Sequence, residues 1–104
     1  MAGESELQKD ILQWLWYNKI YSWRNNSGAY KTDGGRWIKY GRVGSADIIG
    51  VLEGGQFLAI ECKSEKGKLT EHQKLFLANI KANGGVAFVA RSIQDVVDNI
   101  GLDT

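Results

Sequence analysis

The sequence predicts an α/β domain: a mixed β-sheet flanked by helices, in the order α-β-β-β-α-β-α. Three observations carry this expectation. Apolar residues recur at helical spacing in the first and last stretches of the chain. Short runs rich in β-branched residues lie between them, separated by glycine-rich turn signals. A helical stretch joins the last two strands, and a crossover of that length requires them to be parallel.

Each element has a local reason. Residues 4–19 are predicted to be helical because Leu7, Ile11, Trp14 and Leu15 share one face. Residues 20–23 are aromatic or β-branched at alternate positions and read as a strand. Residues 25–35, with Asn25, Gly28, Asp33, Gly34 and Gly35, read as a flexible hairpin or loop, followed by a short strand over 36–40. Residues 45–52 form the next expected strand, with Asp47 at its start. Glu53-Gly54-Gly55-Gln56 is a tight-turn signal, and residues 57–63 form the returning strand. Residues 64–68 are a polar connection. Thr70 opens a second helix with Gln73 in capping-box position and Phe76, Leu77 and Ile80 on one face. That helix ends near Asn83-Gly84-Gly85. Val86 to Ala90 reads as a buried strand, and Ser92 caps a last helix stopped by Gly101.

The chain has 104 residues, the size of one domain, and one domain over 1–104 is expected. It contains one cysteine and one histidine, which excludes an internal disulfide and a zinc site built on several such ligands. A reducing compartment suits that usage. The first residues lack the pattern of a signal peptide. No apolar run reaches the roughly 20 residues of a membrane helix, so no membrane partner is expected. Net charge is only +1, yet residues 19–42 hold six basic side chains against the single acid Asp33. Arg24, Lys31, Arg36, Lys39 and Arg42 belong to this segment. A solvated loop is the bland account, and a phosphate-binding face is the functional one.

The chemistry sits in Ile60-Glu61-Cys62-Lys63. Alternate residues of a strand share a face, so Glu61 and Lys63 point one way while Leu58, Ile60 and Cys62 point into the core. A tight hairpin sets the start of one strand beside the end of its partner, which brings Asp47 to Glu61 and Lys63. Two carboxylates and a lysine make a hard, oxygen-rich site of the kind that suits Mg²⁺. Such a cation can polarise a phosphate and acidify a bound water. Lys63 can hold that water, deprotonate it, or stabilise charge on the phosphate, and spacing does not choose among these. Glu4 lies on the apolar face of the first helix and Glu6 on the opposite side, so Glu4 is the better fourth acid. An acid in a first turn also simply favours the helix dipole. Gln73 points inward, to complete the capping box or to reach the site.

Gly44-Ser45-Ala46-Asp47, then Ile60-Glu61-Cys62-Lys63, then Gln73, preceded by Glu4 on a helix, resemble the PD-(D/E)XK nuclease superfamily, and more closely its VRR-NUC branch of virus-type replication and repair nucleases. The resemblance runs from Glu4 to about Arg91. It implies a restriction-endonuclease-like core and catalytic roles for Glu4, Asp47, Glu61, Lys63 and Gln73. It implies Mg²⁺ or Mn²⁺ held by Asp47, Glu61 and the backbone carbonyl of Cys62. It also implies a homodimer acting on branched DNA, a Holliday-junction resolvase in a bacterial or viral cytoplasm. Cleavage at flaps or ends, or DNA binding without catalysis, are the alternatives.

Other residues are expected as follows. Lys66 and Lys68, beside the site, are placed to hold phosphates, as are Asn25, Asn26 and Ser27. Arg91 is expected to contact phosphate or support the acidic cluster. Trp14 packs in the core, Trp16 and Tyr17 are exposed at a dimer contact, and Trp37 stacks on a base or packs on its strand. His72 is exposed. Without it no Ser-His-Asp set exists, and there is no Gly-x-Ser-x-Gly elbow.

Overall fold

Strand β4 (Ile48–Leu52) and strand β5 (Gln56–Cys62) form the centre of the fold in a computed structural model that describes residues 3–101. Their antiparallel register sets Ile48 opposite Ile60 and Leu52 opposite Gln56. The turn between them uses Gly54 and Gly55 at φ of 82° and 84°, a left-handed conformation that glycine adopts without strain. On one side β4 pairs antiparallel with β1 (Tyr21–Arg24); on the other β5 pairs parallel with β6 (Val86–Ala90). The sheet order is β1-β4-β5-β6. As the sequence predicts, the last pair is parallel because a helix, α2 (Glu71–Ala82), carries the chain back across the sheet.

The sheet is covered on both faces. Leu58, Ile60 and Cys62 point into a core shared with α1 (Glu4–Tyr17) and α3 (Ile93–Ile100), where Ile11, Leu15 and Val96 are fully buried. Trp14 packs against this core as expected. The opposite face is smaller. Ile49, Ala59 and Ala87 meet Leu77 of α2, with Phe76 and Ile80 at the margin. Burial on both faces is why β4 to β6 are almost continuously apolar. Glu61 is the one buried polar side chain in that run.

Helix ends follow their local chemistry. Thr70 and Gln73 form a reciprocal capping box, with hydrogen bonds of 2.9 and 3.1 Å. Ser92 caps α3, and Gly101 ends it in a left-handed conformation. Helix α1 stops two residues earlier than periodicity suggests. Asn18 bonds back to the Trp14 carbonyl, and Lys19 turns the chain at φ 62°.

Two expectations need correction. Five strands, not three, lie between α1 and α2: the segment read as a flexible hairpin or loop is the hairpin, in which β2 (Gly28–Lys31) pairs with β3 (Trp37–Tyr40) in a separate two-stranded ribbon. Its strands are exposed apart from Ile38, so burial leaves no alternation to read. The ribbon is closed instead by a turn in which Thr32 and Arg36 exchange hydrogen bonds and Gly35 takes φ 84°. The strand expected over 45–52 begins only at Ile48. Residues 45 and 46 are taken out of the ladder by the side chain of Asn25, which donates to Ser45 Oγ and the Ala46 carbonyl at 2.9 Å.

Ile60 is fully buried at the sheet centre. Ile60→Ala is expected to destabilise the domain by about 2–5 kcal/mol, the usual loss for such a truncation. Urea unfolding will check it; a loss under about 1 kcal/mol would mean the core closes around the vacancy.

Candidate active site

Continuing the β4–β5 register by one pair sets Asp47 opposite Glu61. Paired residues share a face, so the two carboxyl groups meet at the end of the sheet on the α2 side. Asp47 is fixed from two directions. Its Oδ2 accepts the Cys62 N–H at 2.8 Å, and its carbonyl accepts the Asn25 N–H at 2.7 Å.

Glu61 is only 3% exposed. A buried carboxylate is costly unless partnered, and three side chains converge on it. Gln73 Nε2 donates to Oε2 at 3.1 Å. Lys63 Nζ lies 3.9 Å from the same oxygen. Asp47 stands directly opposite in the strand register, and its charge acts on the Glu61 carboxyl. Burial and then the Asp47 charge push the Glu61 pKa up from 4.5 to about 8, against the opposing pull of Lys63. Glu61 therefore holds its proton far more readily than an exposed carboxyl does.

Gln73 does two things at once. Its Oε1 closes the capping box on Thr70 while its Nε2 holds Glu61. Glu4 reaches the same sheet end from the other layer. Its Oε2 accepts the Ser64 N–H at a long 3.4 Å, and its charge is felt at Glu61. Glu4 is exposed, unlike Glu61. The structure thus brings together all five residues, Glu4, Asp47, Glu61, Lys63 and Gln73, at one end of the sheet. Cys62 turns its side chain into the core, where burial pushes its thiol up to about 12, so it is no nucleophile.

The donors suit a hard cation. Among the described residues no three His, Cys, Asp or Glu side chains gather as a ready-made cage. The protein offers two facing carboxylates, and the Cys62 main chain lies beside Asp47. Mg²⁺ is typically bound by one or two carboxylates, with water and phosphate oxygens completing its shell. A cation between Asp47 and Glu61 would offset the repulsion between the two carboxylates.

The basic residues are spread more widely than the sequence suggests. Arg24 ends β1 close enough to act electrostatically on Cys62. Lys66 and Lys68 are exposed in the loop after Lys63, and Arg42 lies in the turn before β4. Lys31, Arg36 and Lys39 ride on the ribbon instead. His72 is exposed.

Two supporting residues act differently from the sequence expectation. Asn25 clamps the strand that carries Asp47. Arg91, just past β6, donates from Nη1 to the carbonyls of Ser64 at 2.6 Å, Gly67 at 2.8 Å and Glu65 at 3.3 Å. Its guanidinium thus organises the loop that follows Lys63. No local pattern marks either role, because the partners lie more than 19 residues away.

Two outcomes are expected. Arg91→Ala should cost about 1–2 kcal/mol and speed amide exchange at Gly67, whose N–H bonds to the Ser64 carbonyl; unchanged exchange would remove the clasp from the account. The second concerns pH. A carboxyl raised from 4.5 to about 8 adds stability that is complete below pH 4.5 and lost as pH rises through 8. In chelator, Tm of the wild type should therefore fall between pH 5 and 8.5 more steeply than that of Glu61→Gln. Parallel pH profiles would show that Glu61 does not titrate there.

The matches to known proteins agree with this geometry. A solved structure described as a VRR_NUC domain superposes with a TM-score of 0.67 at 20% identity, covering 97% of each chain. The fold is thus a restriction-endonuclease-like core. No curated protein matches in sequence. No helix among the described residues is long and apolar enough to cross a membrane. The family model for the VRR-NUC domain matches residues 2–94, and the chain belongs to that family of nuclease-type domains.

Proposed function

We propose that this domain is a metal-dependent endonuclease that hydrolyses phosphodiester bonds in branched DNA as a Holliday-junction resolvase. The observation that carries this reading is the buried Glu61 carboxyl facing the half-buried Asp47, with Lys63 against it. A merely structural domain gains nothing from burying one acid directly opposite another. DNA binding alone gains nothing from acids turned toward phosphate.

Asp47, Glu61 and the Cys62 carbonyl would hold Mg²⁺ or Mn²⁺, which when bound supplies Lewis acidity toward the phosphate and acidifies water. The remaining work falls to the chain. Gln73 orients Glu61 through one hydrogen bond and so keeps Oε2 in place. Lys63, whose side chain is 12% exposed, presents its ammonium where charge develops on the phosphate or where the attacking water stands. Glu4 adds negative charge at the open edge. Lys66 and Lys68 lie where the DNA backbone would leave the site.

A homodimer is part of this reading, because two sites suit paired cuts across a symmetric junction. Trp16, Tyr17 and Tyr21 are 54%, 86% and 74% exposed around the free edge of β1. Exposed aromatics beside an unpaired strand edge are a surface that a second copy can cover.

The test uses end-labelled four-way junction, flap and plain duplex, each with Mg²⁺, with Mn²⁺ and with chelator. Paired, metal-dependent cuts in the junction are expected, reduced about 100-fold or more in Lys63→Ala. Preferred cutting of the flap would move the activity to flaps and ends. Binding of all three DNAs without cleavage would leave a non-catalytic module. Sedimentation as a monomer at micromolar concentration would sink the dimer.

A further inference from the structure

The ribbon formed by β2 and β3 is the one part of the fold that its own packing does not explain. It has no buried face and lies outside both cores. A lone two-stranded ribbon is marginal in water. Its register sorts the side chains into two unlike faces. Gly28, Tyr30, Ile38 and Tyr40 share one. There the two tyrosine rings lie 6.3 Å apart and Tyr40 folds across Gly28, where a Cβ would stand 2.8 Å from the Tyr40 hydroxyl. This face covers itself.

The other face does not. It consists of Ala29, Lys31, Trp37 and Lys39. Trp37 is paired with Lys31, is 65% exposed, and has Lys39 two residues on. No salt bridge neutralises either lysine among the described residues. From the strand spacings the two lysine backbones lie about 8 Å apart on a diagonal, and Trp37 adjoins both, across from Lys31 and two residues from Lys39. Two cations flanking an exposed ring match a phosphate backbone with its bases.

The ribbon is also fastened to the site. Asn25, at its incoming foot, bonds to Ser45, Ala46 and Asp47. At the outgoing foot Gly41 takes φ 74° and packs directly on Asn26 and Ser27. A hollow of about 420 Å³, lined by Ala29, Lys39, Val43 and Gly44 among others, lies at that foot. Its walls thus join residues of the ribbon to the turn that precedes Asp47.

We propose that the face bearing Lys31, Trp37 and Lys39 is a DNA-contact surface, in which the lysines hold phosphates of one strand and Trp37 stacks on a base left unpaired at the branch. The proposal rests on the nuclease reading above and assigns its substrate grip to a named element. The arm reaches roughly 15 Å beyond its feet, by the length of a four-residue strand, so it engages DNA flanking the cut and not the scissile phosphate itself.

The test is binding, with chelator present, so that it stands apart from cleavage. The probes are a fluorescent four-way junction and a plain duplex, titrated across salt. Lys31→Gln with Lys39→Gln should weaken junction binding about tenfold and lower the log–log salt slope by about 2, near 0.9 per phosphate. Lys19→Gln with Lys81→Gln is the charge-matched control at exposed positions on the other end of the sheet, and it should leave the slope unchanged. Trp37→Ala should cost about fivefold or more on the junction and less on duplex. Trp37→Phe, which keeps a ring, should recover most of that loss. Equal salt slopes for the two lysine pairs would overturn the proposal. So would unchanged affinity together with a shift from dimer to monomer, which would make the ribbon an interface between copies. If the wild type binds but never cuts, the site reading fails while the ribbon is judged on these affinities alone. If it binds neither DNA, both fall.

Discussion

Everything at the working end of this domain is arranged around two carboxyl groups that the β4–β5 register forces together. Asp47 and Glu61 cannot move apart, because each belongs to a backbone held by the sheet. Glu61 is buried as deeply as the aliphatic residues beside it. Its pKa is raised first by that burial and then by the second negative charge beside it. The surrounding groups make this arrangement bearable: an amide from α2, an ammonium from the end of β5, and a backbone N–H for Asp47. Remove Glu61 and both the Gln73 amide and the Lys63 ammonium lose their partner at this end of the sheet.

The architecture shows how a chain of 104 residues finds room for such a site. The larger core lies between the sheet and the α1/α3 layer, while the α2 side is lined by alanines and a few larger residues. Small side chains there let α2 approach closely enough for Gln73 to touch Glu61. The stabilising mass is on one side of the sheet and the chemistry is on the other.

Much of this was legible in the sequence, for reasons that can be stated. The alternation of Leu58, Ile60 and Cys62 against Glu61 and Lys63 is a period-two signal, and the Gly54-Gly55 turn fixes which residue faces which. Gln73 was visible as a capping residue, and its inward direction followed from Phe76, Leu77 and Ile80. What stayed hidden depends on contacts without a local pattern. Strand β2 carries no burial alternation because neither of its faces is buried. Asn25 looks like one more polar loop residue until the sheet sets it beside Asp47. Arg91 looks like a free cation until the chain folds three carbonyls onto its guanidinium. The basic segment read as one patch, whereas the ribbon lifts Lys31, Arg36 and Lys39 away from the sheet.

One consequence follows from the double use of Gln73. Its amide is shared between a helix terminus and a buried acid, so the first turn of α2 and the alignment of Glu61 form and dissolve together. Helix ends open far more readily than whole domains. The hydrogen bond that aligns Glu61 is therefore only as persistent as the first turn of α2, and fraying of that one turn releases the Glu61 carboxyl while nearly every other hydrogen bond in the fold is still made.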